Sequence, residues 1–422
     1  MHTAPSMDGA PTSLWRNRSF MRLWFAQIMS SAGSQITYIA LPLTAVLVLG
    51  ATPIQMGLLG IAGRAPNLLF DLFTSVWVDR VRRRPILVGS DLGRALLLGT
   101  IPLAALLGYL TFAQLYVVAF AVGALSGFFS LAAISILPAM VKGPQLVEAN
   151  SKLAVTDSVM TIAGPGMAGG LVQLLGAPRA IIADAISFLL SALALRGISV
   201  SEKPPSRAQR RSVWAEIGEG IHELARTLLL RALAISISIG TCGVAVQETV
   251  LVLFLIRVLG FTGAELGLVF AVGGGGSLLG AILAGRVARR VGIGPTIILG
   301  NFLWGIGVLI IPMAGLAGGD LLLIAAGQAI ANIGATIWGV NQMSLRQSIT
   351  PVGLFARATA ARRVLMFSMQ IMGAALGGLL GSVVGLRTTL VIGAAGLVVG
   401  FLFVLLSPVR TVRDISEVAI NR

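Results

Sequence analysis

The sequence predicts an all-α integral membrane protein: twelve transmembrane helices in two six-helix halves, with a polar cytoplasmic linker between the halves. Three observations predict it. Charged residues make up 11% of the chain and hydrophobic ones 56%, where a soluble domain carries about 25% charged residues; the mean hydropathy is +0.92. Apolar runs of about 20 residues, enough to cross a bilayer as a helix, recur from end to end. Basic residues gather in alternate short loops, the pattern that marks the cytoplasmic side.

Residues 1–22 read as a cytoplasmic tail that ends in an interfacial anchor of Trp15, Arg16, Arg18 and Arg22. Nothing in it has the short apolar core and small-residue cleavage site of a secretory signal. The N-terminal half covers 23–197. Span one, Leu23 to Leu49, contains Pro42, which lipid tolerates only where neighbours satisfy the freed carbonyl. Gly50 to Pro53 makes a tight outer turn, and span two runs from Pro53 to Val78. The loop Asp79-Arg80-Val81-Arg82-Arg83-Arg84-Pro85 then fixes the orientation, because arginine is too costly in hydrocarbon to lie anywhere but in water. Spans three to six follow at Pro85–Leu107, Gln114–Met140, Leu153–Leu175 and Pro178–Leu195.

Residues 198–231 form the linker, with Arg207, Arg210 and Arg211 ahead of an amphipathic stretch. There Trp214, Ile217, Ile221 and Leu224 recur at helical spacing between Glu216, Glu219, Glu223 and Arg226, as expected of a helix on a membrane face. The C-terminal half, 232–407, repeats the plan: Ala232–Leu255, Ala264–Ala284, Pro295–Leu316, Leu321–Met343, Val364–Val384 and Thr388–Leu406. A second cytoplasmic tail covers 408–422. With both termini inside, the outer loops hold little positive charge beyond Arg179, Arg257 and Arg387.

The two halves match residue by residue in places. Gly164-Pro165-Gly166-Met167-Ala168-Gly169-Gly170-Leu171 in span five parallels Met372-Gly373-Ala374-Ala375-Leu376-Gly377-Gly378-Leu379 in span eleven, and Arg80 parallels Arg286. Two similar halves in one orientation, with a site between them near the midplane, is a transporter arrangement.

These motifs resemble those of the major facilitator superfamily, over essentially the whole chain. Its loop pattern G-x-x-x-D-R-x-x-R-R reads here Ser75 to Arg84, with Ser75 in place of the glycine and Asp79, Arg80, Arg83 and Arg84 in register. The resemblance implies that this cluster is a cytoplasmic gate against span eleven. It also implies that Gly164, Pro165, Gly169 and Gly170 form an antiporter-like motif in span five. More narrowly, Leu137-Pro138-Ala139-Met140-Val141, Leu146-Val147-Glu148-Ala149-Asn150 and Arg346-Gln347-Ser348-Ile349-Thr350-Pro351 resemble the branch with the enterobactin exporter and macrolide efflux permeases. The arginine expected in span four of drug antiporters is missing.

Ionisable residues at membrane depth are functional candidates. Arg64 and Asp71 share a face of span two about 10 Å apart along the axis, and Glu248 lies inside span seven. Asp71 and Glu248 are candidates for proton exchange with Arg64 as their electrostatic partner. The alternative is a structural Arg64 to Asp71 pairing, with Glu248 hydrogen-bonded near the outer surface. Asp91, Arg94 and Asp157 are expected to support the arginine-rich loop. Gln27, Ser31, Gln35 and Tyr38 on one stripe of span one, and Trp338 and Asn341 in span ten, are candidates for lining a substrate cavity or for gluing helices together.

The net charge of +15 is spread over short loops, not over one soluble face; it points to orientation and to lipid, not to nucleic acid. One cysteine and two histidines, His2 and His222, argue against a metal site, a cofactor or membrane-embedded catalysis. No G-x-x-x-x-G-K-[ST] loop is present, which argues against ATP hydrolysis. The expectation is therefore a monomeric inner-membrane transporter that is not an enzyme. It would export a hydrophobic or amphipathic small molecule, a drug, antibiotic-like product or siderophore, by proton antiport. Uptake by the same fold, or a non-transporting sensor, are the alternatives.

Overall fold

The structure is a computed structural model that describes residues 14–78, 81–141, 143–200, 218–222, 225, 227–316, 318–350 and 352–413; side chains are described for all of these except 70–78, 144, 162, 352, 353 and 356. Twelve long helices appear among the described residues. The first six are α1 (Arg18–Leu47), α2 (Pro53–Val78), α3 (Arg83–Leu106), α4 (Phe112–Met140), α5 (Pro144–Leu175) and α6 (Ala177–Arg196). The second six are α7 (Leu228–Arg257), α8 (Gly263–Val291), α9 (Ile293–Ile310), α10 (Asp320–Ile349), α11 (Val352–Val383) and α12 (Leu386–Leu405).

Nine of these helical segments are long and apolar enough to cross a membrane, ten with the bent α5. The helices α1 and α2 are long enough but more polar, because α1 carries Gln27, Ser31 and Gln35 and α2 carries Arg64, Asn67 and Asp71. Several helices begin on a side-chain cap. Thr111, Thr227 and Thr262 each accept from a first-turn amide, and Glu265 completes a capping box with Thr262. The turn into α6 is the single residue Gly176 at φ 81, and its counterpart before α12, Gly385, is at φ 86; L side chains rarely adopt either conformation.

The α5 and α11 helices start well before the expected spans, at Pro144 and Val352. Hydropathy marks where hydrocarbon begins, whereas a helix satisfies its own backbone and continues into water. Surface pairs support the α5 extension: Glu148 and Lys152 pair at 3.5 Å, and Lys152 lies 4.1 Å from the Trp15 ring. α5 bends by 42° between Thr161 and Ala163. Pro165 explains the position, since its ring crowds the carbonyl four residues back.

Helix packing repeats between halves. In the first half α1 packs on α5 and α6, α3 on α4 and α6, and α2 on α4. In the second, α7 packs on α11 and α12, α9 on α10 and α12, and α8 on α10. The strongest contacts between halves are also a symmetric pair, α2 with α11 and α5 with α8. Both crossings use small residues, so that backbones approach closely. Gly57 faces Ala374 and Gly378, while Gly169 faces Gly263 and Gly267.

The end bearing the α1–α2 turn is poor in arginine. There the buried apolar residues form one cluster shared by both halves, from Ile36 and Met56 to Leu253, Phe254 and Leu266. Arg257 of α7 adds a hydrogen bond across the halves to the Ala51 carbonyl at 2.8 Å. Towards the arginine-rich end the buried core separates. One cluster, with Phe20, Leu87, Ile136 and Leu195, belongs to the first half; another, with Leu233, Ile297, Leu345 and Val404, belongs to the second. The halves are thus fused at the arginine-poor end and separately packed at the other.

Of the linker, residues 218–222 are helical and dock on the start of α11. Glu219 pairs with Arg357, and Gly220 lies against the Arg357 carbonyl and Ala361. Trp214, Glu216, Ile217, Glu223, Leu224 and Arg226 lie outside the described residues.

Candidate functional site

Beneath the shared apolar cluster is a cavity of about 350 Å³, lined by α1, α2, α3, α4, α7 and α8. Its wall is chiefly apolar, with aliphatic Leu41, Leu59, Val118 and Leu251 and the Phe270 ring. Tyr38, Arg64 and Glu248 are its chemically distinctive groups. Tyr38 is 55% exposed although it lies deep in the chain, because its ring opens onto this space.

Arg64 of α2 forms an ion pair with Glu248 of α7, so the pair joins the two halves across the cavity. The Arg64 side chain is 23% exposed and that of Glu248 38%. Both therefore reach the cavity, where a proton or a solute can compete for either. The alternative that put Glu248 near the outer surface is corrected here: Glu248 lines the cavity and meets the guanidinium of the opposite half, while the Arg64 to Asp71 pairing it included falls on a side chain outside the described ones. The Asp71 and Ser75 side chains lie outside the described ones, and so do residues Asp79 and Arg80. Of the remaining loop arginines, Arg84 donates to the Arg196 carbonyl at the end of α6 and Arg83 is half-buried.

The polar stripe on α1 divides. Tyr38 lines the cavity. Gln27 and Ser31 instead donate to Asp157 of α5, at 3.4 and 2.9 Å, and Gln35 covers Gly164 of the same helix. Asp157 was expected beside the arginine loop; it binds α5 to α1. Trp338 and Asn341 also depart from the cavity reading. Trp338 is buried against Trp304 of α9, with ring centroids 5.5 Å apart. Asn341 donates to the carbonyls of Ile337, at 2.9 Å, and Ala284, at 3.4 Å. Both fasten α10 inside the second half. In span five, Gly169 and the Pro165 carbonyl contact Gly267 of α8, while Gly170 faces open space.

A second polar cluster is buried within the first half. Arg94 of α3 pairs with Asp91, lies over the rings of Phe188 and Phe129 at 4.0 and 4.5 Å, and donates to Ser126 at 3.3 Å. Ser191 of α6 donates to Asp91. Asp91 and Arg94 were expected to support the arginine-rich loop; they are 0% and 2% exposed and hold α3, α4 and α6 together. Further along α6, Asp184 accepts from Thr37 of α1 and from Ser187, and is 1% exposed. Sequence reasoning passed over Asp184, although an acid inside Pro178–Leu195 meets the test applied to Asp71 and Glu248.

The profile of the Major Facilitator Superfamily matches residues 23–261. The multidrug efflux pump Tap of Mycolicibacterium fortuitum is 31% identical over 222 residues, a match that takes in 50% of this chain and 53% of that pump. An uncharacterized MFS-type transporter of Bacillus subtilis, YfiS, is 27% identical over 409 residues, covering 92% and 93% of the two chains. Among solved structures, an inward-facing bacterial homologue of the iron transporter ferroportin superposes with a TM-score of 0.75 at 16% identity, over 93% of this chain and 99% of that one. The nucleoside transporter NupG does so at 0.74 and 11% identity, over 92% and 98%. At such identities the likeness is one of fold.

Proposed function

The chain belongs to the Major Facilitator Superfamily, and from that premise we propose that it is a secondary active exporter of a hydrophobic or amphipathic small molecule, driven by proton antiport. The observation that carries the proposal is the cavity between the halves. It is largely aliphatic and is crossed by one ion pair whose two members belong to different halves. An aliphatic wall favours an apolar body by burial, at roughly 25 cal/mol per Å². Likeness to a multidrug efflux pump supports export of drug-like solutes.

The mechanism follows from the ion pair. Protonation of Glu248 removes its charge and frees Arg64, which loosens one link between the halves. Asp71, two turns from Arg64 on α2, is the second exchanging group. The halves then rock so that the Gly57–Gly378 and Gly169–Gly267 crossings part and the cavity opens to the opposite side. The arginine-rich end is cytoplasmic by the distribution of loop charge, so the described conformation faces inward. In this reading the Asp79, Arg80, Arg83 and Arg84 motif closes that end, and the domain limits follow the sequence: 1–22, 23–197, 198–231, 232–407 and 408–422. The protein acts as a monomer in the inner membrane, among its lipids, with both termini inside.

The test is transport in energised inverted membrane vesicles, with a susceptibility and metabolite-export comparison of cells with and without the protein. Export predicts solute accumulation in the vesicles that collapses with the proton gradient. Accumulation only in right-side-out vesicles would reverse the direction, and no flux in either would refute transport of such solutes.

A further inference from the structure

The polar cluster inside the first half carries an uneven charge. Two carboxylates, Asp91 and Asp184, face one guanidinium, Arg94. Arg94 pairs directly with Asp91, and Ser191 adds a hydrogen bond to the same carboxylate. Among the described residues Asp184 keeps only neutral donors: Thr37 on Oδ2, and on Oδ1 at 3.1 Å the Ser187 hydroxyl, which is shared with the Asp184 backbone carbonyl at 2.8 Å. A carboxylate without an ion partner, at 1% exposure within a membrane helix, is costly when charged. Protonated, it is an ordinary buried acid with two hydroxyl partners.

The surroundings allow both states. A hydroxyl can donate to a carboxylate or accept from a carboxylic acid by rotating its own hydrogen, so neither Thr37 nor Ser187 need move when the proton arrives. No larger side chain can intrude from α1, because Gly33 lies directly against Asp184 and Ser187. Thr37 also lines the central cavity. Thr37 therefore touches both that space and the acid, which is itself 1% exposed.

The charged groups around Asp184 come from each neighbouring helix. From α3, Asp91 and Arg94 are near enough to act on its charge. On α5, Asp157 is engaged by Ser31 and Gln27, and Glu148 by Lys152. On α1, Tyr38 faces the cavity, across which lie Arg64 and Glu248. On α6 itself Arg179 and Arg196 stand near its two ends.

We propose that Asp184 is a proton-binding site of the N-terminal half, loaded from the central cavity through the Thr37 hydroxyl. The step breaks the Thr37 O–H bond as Asp184 takes its hydrogen, the hydroxyl takes a proton from hydronium in the cavity and leaves water there, and the cluster goes from one net negative charge to none. It is a further site, distinct from the ion pair that joins the halves and from Asp71 on α2.

The experiment is infrared spectroscopy of the purified full chain in lipid, recorded across a pH series. The expected result is a carbonyl band of a buried carboxylic acid that Asp184→Asn removes and Glu248→Gln leaves. Because Asp184→Asn can fail to fold, Thr37→Val provides a second reading. It deletes the hydroxyl that contacts this acid, so the band must move in frequency. A band unaltered by both substitutions, or no such band at any pH in the parent chain, overturns the proposal. The readout is proton binding and not flux, so its outcome is separate from that of the export test.

Discussion

Gly57→Ala should shift the protein towards the conformation that opens the arginine-poor end. A Cβ built on Gly57 would lie 2.7 Å from the Ala374 carbonyl oxygen and 3.1 Å from the Gly378 Cα. Both obstacles are backbone, so no rotamer change relieves them. The approach falls short of ordinary contact by about 0.7 Å at the carbonyl, and α2 and α11 must part to accept it. Overpacking of this kind costs about 1–3 kcal/mol. In a rocking mechanism that cost falls on the state in which these two helices touch and disappears when they separate. The equilibrium should therefore move by about 5- to 150-fold towards the open state. Spin labels at Tyr109→Cys and Leu316→Cys, two exposed turn positions on opposite halves, in a Cys242→Ser background, would read the change by pulsed electron resonance. A larger long-distance population in Gly57→Ala is expected. An unchanged distance distribution in a properly folded variant would refute the closing contact assigned to this crossing.

Other outcomes follow from the same geometry. Glu248→Gln should reduce gradient-driven transport to near the background of empty membranes at similar abundance, and Asp71→Asn should do likewise; unchanged efflux in both removes the coupling assignment. Asp91→Ala leaves the buried Arg94 without its direct ion-pair partner, and should lower stability by about 3–5 kcal/mol, seen as a lower melting temperature of the purified chain. Adding Arg94→Leu should recover much of that loss, and a double variant no better than the single one would contradict the pairing.

The bundle was legible because lipid leaves little choice: long apolar runs must be helices, and the loop arginines order them. The helix ends were less so. Pro144 to Lys152 and Val352 to Arg363 read as loop, since their polarity reports the membrane boundary and not the end of hydrogen bonding. Partner choice was hardest. Arg64 and Asp71 are neighbours in sequence spacing, whereas Glu248 reaches Arg64 only through the packing of α2 on α7. The faces of α10 could not be assigned either. Lipid and helix interior are both apolar, so hydrophobic periodicity does not point inward, and Trp338 and Asn341 prove to fasten the second half. Asp184 carries the same signal as Glu248, an acid inside an apolar run.

The central claim is that a proton gradient moves an apolar solute through the cavity between the halves. Purified protein in liposomes, with an imposed pH gradient and a fluorescent lipophilic solute, tests it most directly. The account predicts solute movement against its own gradient, matched by proton flow the other way and lost in Glu248→Gln. Solute movement that ignores the pH gradient, or that survives Glu248→Gln unchanged, would contradict it.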